Sequence, residues 1–231
     1  YLKYFPITKN IINKKYAIQK SSKIFKDIKN ICIKKNIFFL FSFFEKSKER
    51  LYNSVSLISP NGKEVGKYRK RNIPNEECYQ EKYYFNKSNN KHVVIDIGIC
   101  KIGLMICWDQ WHHETYQQLN KLGADLILCP TSIGYAYKKS KCISLANEKE
   151  KWLNIITANS LMINTPIVIA NRTGCECSKD NMIKFWGSSF VTNSNGDIDF
   201  INKNNKLMSY ITIDLSKKSL SKKIWGFCQK N

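Results

Sequence analysis

Residues 101–134, KIGLMICWDQWHHETYQQLNKLGADLILCPTSIG, decide the fold. The apolar run 101–106 reads as a buried strand. A turn follows at Trp108-Asp109-Gln110-Trp111. Residues 114–122 then carry a helical pattern closed by Gly123, and 125–129 form a second apolar strand running into Pro130. Cys107 ends the first strand, at a strand-to-helix junction where backbone N–H groups stabilise a thiolate. Two readings stay open on this segment alone. Cys107 is either a nucleophile or one more small buried hydrophobe, as free cysteines usually are.

Outward from this unit, helices alternate with buried strands. Apolar positions Ala17, Ile24, Phe25, Ile28, Ile31 and Cys32 predict a helix over 16–35, with lysines on its other face. Residues 37–44 read as a buried strand. Residues 52–59 and 64–68 form a hairpin around Pro60-Asn61-Gly62. The polar stretch 69–92 reads as a long functional loop. Strands at 93–97 and 166–170, a helix at 145–163, a hairpin around Asn195-Gly196 and a last strand at 209–213 complete the pattern. It predicts an α/β layered fold, sheet on sheet with helices outside.

Composition narrows the function. The 231 residues suffice for a sizeable core, and no apolar run reaches the ~18–20 residues of a membrane span. No secretory leader pattern is visible, so the expectation is a soluble, cytoplasmic chain with no membrane partner. The net charge of +20 invites a nucleic-acid reading. Its lysines are scattered among asparagines and isoleucines without any nucleic-acid motif, so no specific nucleic-acid partner is expected. The nine cysteines are odd in number and irregularly spaced. They predict free thiols in a reducing compartment and no metal site.

A second stretch, residues 67–85, KYRKRNIPNEECYQEKYYF, supplies the remaining chemistry. Lys70 lies just after a predicted strand, with Glu81 eleven residues on. An ammonium beside a cysteine stabilises both a thiolate and a developing oxyanion. A carboxylate beside the lysine holds it charged and oriented. The competing reading, a solvated loop lysine, holds for most of the 38 Lys and Arg residues.

The strings YNSVSLI (52–58), GKYRK (66–70), YQEKYYFN (79–86), IGLMICWDQW (102–111), GADLILCPTSIG (123–134), IVIANRTG (167–174) and IKFWGSSFV (183–191) together resemble the carbon–nitrogen hydrolase (nitrilase) superfamily. Within it they are most similar to the N-carbamoylputrescine amidase branch. The resemblance implies a nitrilase-type four-layer α-β-β-α sandwich as a single domain over 1–231. It implies a catalytic set in which Cys107 is the nucleophile, Lys70 stabilises the oxyanion with the Trp108 backbone N–H, and Glu81 positions Lys70. Tyr79, Trp108, Gln110 and Trp111 are the candidate substrate-binding residues by position. The implied reaction cleaves N-carbamoylputrescine to putrescine, carbon dioxide and ammonia through a cysteine thioester. No cofactor is needed, the partner is a small carbamoyl amine or amide, and a homodimer or larger homo-oligomer is expected. The alternatives are a β-ureidopropionase-like or ω-amidase-like hydrolase, or a non-catalytic relative.

Three departures qualify the match. The family's general-base glutamate ends its first inner strand, and no residue here fills that role; Glu45 matches a later family position. Either the chain is incomplete at both ends, which is the expectation, or the protein lacks its base. After Trp111 stand His112-His113-Glu114, where the family has an aromatic and a proline before the glutamate. After Gly134 stands Tyr135-Ala136-Tyr137, read as a loop, where the branch carries an acidic residue and a proline.

Overall fold

The computed structural model describes residues 4–200 and 209–215. Its chain divides into two units, Tyr1–Val93 and Val94–Asn231.

In the first unit a short 3-10 turn, Ile11–Tyr16, precedes helix α1, Lys23–Lys35. The predicted helix therefore starts later than residue 16. It ends where Asn36 adopts a left-handed conformation, its N–H bonding the Cys32 and Ile33 carbonyls. Only part of the expected apolar stripe is buried: Phe25, Ile28 and Cys32 pack with Phe43 and Ile58, while Ile24 and Ile31 stay exposed. Strands β1 (Phe39–Ser47), β2 (Arg50–Ile58) and β3 (Glu64–Arg69) form an antiparallel sheet in sequence order. Residues 17 and 18 run alongside β1, bonded to it through Ile18 N–H to Phe44 O at 2.8 Å and Lys46 N–H to Ile18 O at 2.8 Å.

The stretch after β3 is less irregular than its composition predicts. It contains a one-turn helix α2, Glu81–Tyr84, and Tyr84 and Phe85 are core residues. Phe5, Phe44, Tyr84 and Phe85 make one cluster. The Tyr84 hydroxyl donates to Thr8 O at 2.5 Å and accepts from Asn10 N at 2.9 Å and Asn13 Nδ2 at 3.2 Å. Those partners are distant in sequence, which is why no local periodicity announces the packing.

In the second unit β4 (Val93–Asp96) and β5 (Lys101–Leu104) lead to a 3-10 turn, Cys107–Trp111, and helix α3, His113–Lys121. Then come β6 (Leu126–Thr131), β7 (Gly134–Lys138), β8 (Lys141–Cys142) and helix α4, Glu148–Ile163. The series closes with β9 (Ile167–Asn171), β10 (Cys175–Ser178), β11 (Asn181–Phe185), β12 (Phe190–Thr192) and β13 (Ile198–Phe200). A six-stranded sheet runs β13-β12-β9-β6-β5-β4, with β5, β6 and β9 parallel and β12 antiparallel to β9 and β13. Leu119, Ile127, Trp152, Ile156, Ile167, Ile169 and Phe190 are core residues beneath it.

Two sequence readings are corrected here. Residues 209–215 carry no regular secondary structure, so the last expected strand is absent from them. Residues Tyr135-Ala136-Tyr137 are strand rather than loop: β7 joins β8, β10 and β11 in an antiparallel sheet ordered β10-β11-β7-β8. Gly134 permits this. A Cβ there would lie 2.2 Å from the Lys184 carbonyl oxygen and 2.5 Å from Phe185 Cα. No helix among the described residues is long and apolar enough to cross a membrane.

Candidate active site

Lys70 is the residue after β3, and the sheet ladder carries on to it: its N–H donates to Asn53 O at 2.9 Å. Side chains alternate along a strand. Arg69 therefore takes one face, and Tyr68 and Lys70 take the other. Lys70 is 1% exposed, and its Nζ donates to Glu81 Oε2 at 2.6 Å. Glu81 heads α2 and is itself 2% exposed. The solvated-lysine reading of Lys70 is thereby excluded. Two charges removed from water are a poor source of net stability unless they are paired and hydrogen-bonded.

Cys107 lies three residues beyond the last residue of β5. It is 8% exposed and adopts φ +45°, a left-handed conformation that costs a side-chain-bearing residue about 1–3 kcal/mol. The surrounding turn holds it there. Asp109 Oδ2 accepts from Ile106 N at 3.0 Å, and Asp109 N donates back to Ile106 O at 3.0 Å. The Gln110 side chain bridges two elements, accepting from Trp152 Nε1 at 2.9 Å and donating to Thr131 Oγ1 at 3.2 Å. The Gln110 carbonyl accepts from the Tyr116 hydroxyl at 2.7 Å. Burial, with Cys129 and Asp109 nearby, pushes the Tyr116 phenol well above 10, so it stays a neutral donor. The left-handed turn at Cys107 is thus held through contacts with Ile106, Trp152, Thr131 and Tyr116.

The carboxyl ends of parallel strands are where α/β sheets bind ligands. Cys107 follows β5 there, and the neighbouring β6 and β9 end at Thr131 and Asn171. The Asn171 amide ties that rim together, accepting from Ile133 N at 3.0 Å and donating to Ile133 O at 3.1 Å and Gly187 O at 2.9 Å. Of the expected substrate-binding residues, Trp108 and Trp111 pack with ring centroids 6.0 Å apart. The Trp111 indole N–H is buried and has no acceptor among the described residues. Both polar groups of the Gln110 side chain are already bonded within the protein. Tyr79, in the first unit, packs edge-on against Tyr4 at 6.2 Å.

The structure thus brings Lys70 and Glu81 together in the first unit. In the second it gathers Cys107, Trp108, Gln110 and Trp111 in one turn. His113, expected at a helix start, bonds Asn159 Oδ1 through Nδ1 at 2.6 Å. The Asn159 amide nitrogen donates to Ile155 O at 2.8 Å, so its oxygen is the acceptor and His113 carries the proton on Nδ1. Sequence reasoning did not find the roles of Asp109 and Asn171, which act through backbone groups. Among the described residues no group of three or more His, Cys, Asp or Glu side chains is placed to hold a metal ion.

Comparison with known proteins bears on the family and the fold. The carbon–nitrogen hydrolase family profile matches residues 12–222. A citrullinase of Francisella tularensis is 32% identical over 225 residues, 97% of this chain and 74% of that protein. The N-carbamoylputrescine amidase of Solanum lycopersicum is 34% identical over 161 residues, 68% of this chain. The chain spans about half, 52%, of that relative's length. The crystal structure of a carbon–nitrogen hydrolase from Helicobacter pylori superposes with a TM-score of 0.83 at 26% identity, over 97% of this chain and 78% of that one. The fold is the nitrilase-type α/β fold expected from the sequence strings.

Proposed function

The chain belongs to the carbon–nitrogen hydrolase family, and within it we propose an amidohydrolase that removes the terminal carbamoyl group of a ureido compound, N-carbamoylputrescine first. The observation that carries this reading is the buried Lys70–Glu81 ion pair at 2.6 Å. A lysine held charged and out of water is what stabilisation of an oxyanion requires.

In this reading the Cys107 thiolate attacks the ureido carbonyl. The oxyanion is stabilised by the Lys70 ammonium and the Trp108 backbone N–H. Ammonia leaves with a proton, and a carbamoyl thioester remains on Cys107. Water, deprotonated by a general base, then releases a carbamate that decomposes to the amine and carbon dioxide. The resemblance names no residue of this chain as that base. Glu45 is unsuited to it: burial pushes its carboxyl up, but hydrogen bonds from Arg69, Lys67 and Ser54 overcome that and hold it at about 2. A base near neutral pH needs a far higher value. Trp111, with an unmatched indole donor, is a substrate contact in this reading, whereas Gln110 braces the turn.

A second reading is hydrolysis of citrulline, which carries the same ureido group beside an amino-acid carboxylate. Two observations favour it. The match to the citrullinase extends over 97% of the chain. Tyr135-Ala136-Tyr137 forms part of β7 where the other branch places an acidic residue.

The test is ammonia release by the full-length protein from N-carbamoylputrescine, citrulline, N-carbamoyl-β-alanine and glutaramate. Turnover of a ureido substrate that vanishes in Cys107→Ala supports the proposal, and the better of the first two substrates decides between its forms. Turnover of glutaramate alone, or activity surviving in Cys107→Ala, overturns it.

A further inference from the structure

We propose that Glu45 and Arg69 form a clamp whose task is to position Lys70. This inference rests on the reading of Lys70 as the oxyanion-stabilising residue.

Glu45 lies on β1 and is 3% exposed. Its two carboxylate oxygens take four donors. Arg69 grips both, Nε to Oε2 at 2.8 Å and Nη2 to Oε1 at 2.7 Å. Lys67 Nζ donates to Oε1 at 2.7 Å and Ser54 Oγ to Oε2 at 2.6 Å. All three strands of the sheet thus meet at one carboxylate: Glu45 from β1, Ser54 from β2, Lys67 and Arg69 from β3. The Arg69 guanidinium also lies over the Tyr52 ring at 3.9 Å. Ser54 pairs directly with Arg69, and Tyr52 with Glu45, so the contacts follow the sheet register.

Arg69 is the residue before Lys70. A forked guanidinium bound at two points to a carboxylate fixes orientation as well as distance. Stacking on Tyr52 removes the remaining freedom to rotate. The Arg69 backbone is therefore located by its own side chain, and the next Cα with it. Lys70 leaves that Cα on the opposite face of the strand and reaches Glu81 through a stem of four carbons. A small drift of the strand end would be carried to its ammonium. Errors of about 1 Å at a reacting group cost about a hundredfold in rate.

Lys67 adds a second cation, so the cluster keeps a net positive charge with every acceptor filled. Glu45 can neither accept a proton from a reactant nor turn toward one. It acts through Arg69, as a positioning residue.

The test compares Glu45→Gln and Arg69→Lys with the parent in the full-length protein, using the ureido substrate the parent hydrolyses best. Folding is followed by circular dichroism and thermal midpoint. The expected result is a fall in kcat of about ten- to a hundredfold with KM within about twofold, in variants whose spectra match the parent. A merely structural role would leave kcat per folded molecule unchanged, whatever the midpoint does. If Glu45→Gln does not fold, Arg69→Lys decides, since it keeps the charge and loses the fork. A folded variant with kcat within twofold of the parent overturns the proposal, and so does loss of folding in both. Lys70→Ala is the control: if it leaves activity intact, the reading of Lys70 itself has failed, independently of the clamp.

Discussion

Lys70 Nζ and Glu81 Oε2 stand 2.6 Å apart with side chains 0% and 3% exposed, one at the end of a strand and the other at the head of a one-turn helix. The pair joins two segments eleven residues apart, and neither charge has water to fall back on.

Removing one partner strands the other. Lys70→Met is expected to abolish turnover and to cost about 3–5 kcal/mol of stability, because Glu81 is left buried and uncompensated. The double variant Lys70→Met/Glu81→Leu is expected to regain most of that stability and none of the activity. Thermal melts and ammonia release on the same samples check both. A double variant that recovers activity would assign the pair to folding alone.

The Cys107 turn depends on Gln110 and Tyr116. Gln110→Ala leaves the Trp152 indole N–H unpaired in the core and opens a cavity, for an expected loss of about 2–3 kcal/mol. Tyr116→Phe removes only the hydroxyl bond to the Gln110 carbonyl, for about 1 kcal/mol. Urea titrations rank the two. The reverse order would show that the turn is held chiefly through its backbone.

Glu45 makes stability sensitive to acid. Its carboxyl lies at about 2 in the folded chain against 4.5 unperturbed. A depressed folded value means that its contribution is complete above the unfolded pKa and is lost as pH falls through the folded one. The contribution is lost across a window from roughly pH 5 down to about 2. Chemical denaturation across that window should show a shallower loss in Glu45→Gln than in the parent. Parallel curves would mean that the carboxylate is not held as described.

At Gly134 even one methyl group is too much. A Cβ 2.2 Å from the Lys184 carbonyl oxygen must push β11 away from β7. Gly134→Ala is expected to cost several kcal/mol, in the range of severe core overpacking. Amide exchange at residues 135–138 and 181–185 should accelerate with it. Unchanged exchange there would show that the two strands do not approach so closely.

Much of the fold was legible locally. The apolar runs ending before Cys107 and at Cys129 predict the strands on either side of α3. The Asn195-Gly196 pair predicts the β12–β13 hairpin; its turn is closed by Asn193 N–H to Asp197 O at 2.9 Å, with Gly196 at φ +84°. Where local pattern failed, tertiary contacts had overridden it. The aromatics of residues 79–85 read as loop because Tyr84 and Phe85 pack against Phe5 and Phe44, far away in sequence. Residues 135–137 read as loop because their partners in β11 come some fifty residues later.

The sequence by itself determined which groups could do chemistry. Cys107, Lys70 and Glu81 stand out as candidates by residue type and place in the chain, and the roles expected of them are what the resemblance of the strings to the family implies. Only the tertiary structure decided that Lys70 is a buried, paired ammonium rather than one solvated lysine of many. Only it showed that Gln110 spends its amide on Trp152 and Thr131, and that Glu45 is filled by four donors. The reason is physical. Residue type and spacing are properties of the chain, whereas burial and the occupancy of a donor or acceptor depend on which distant segments fold against it.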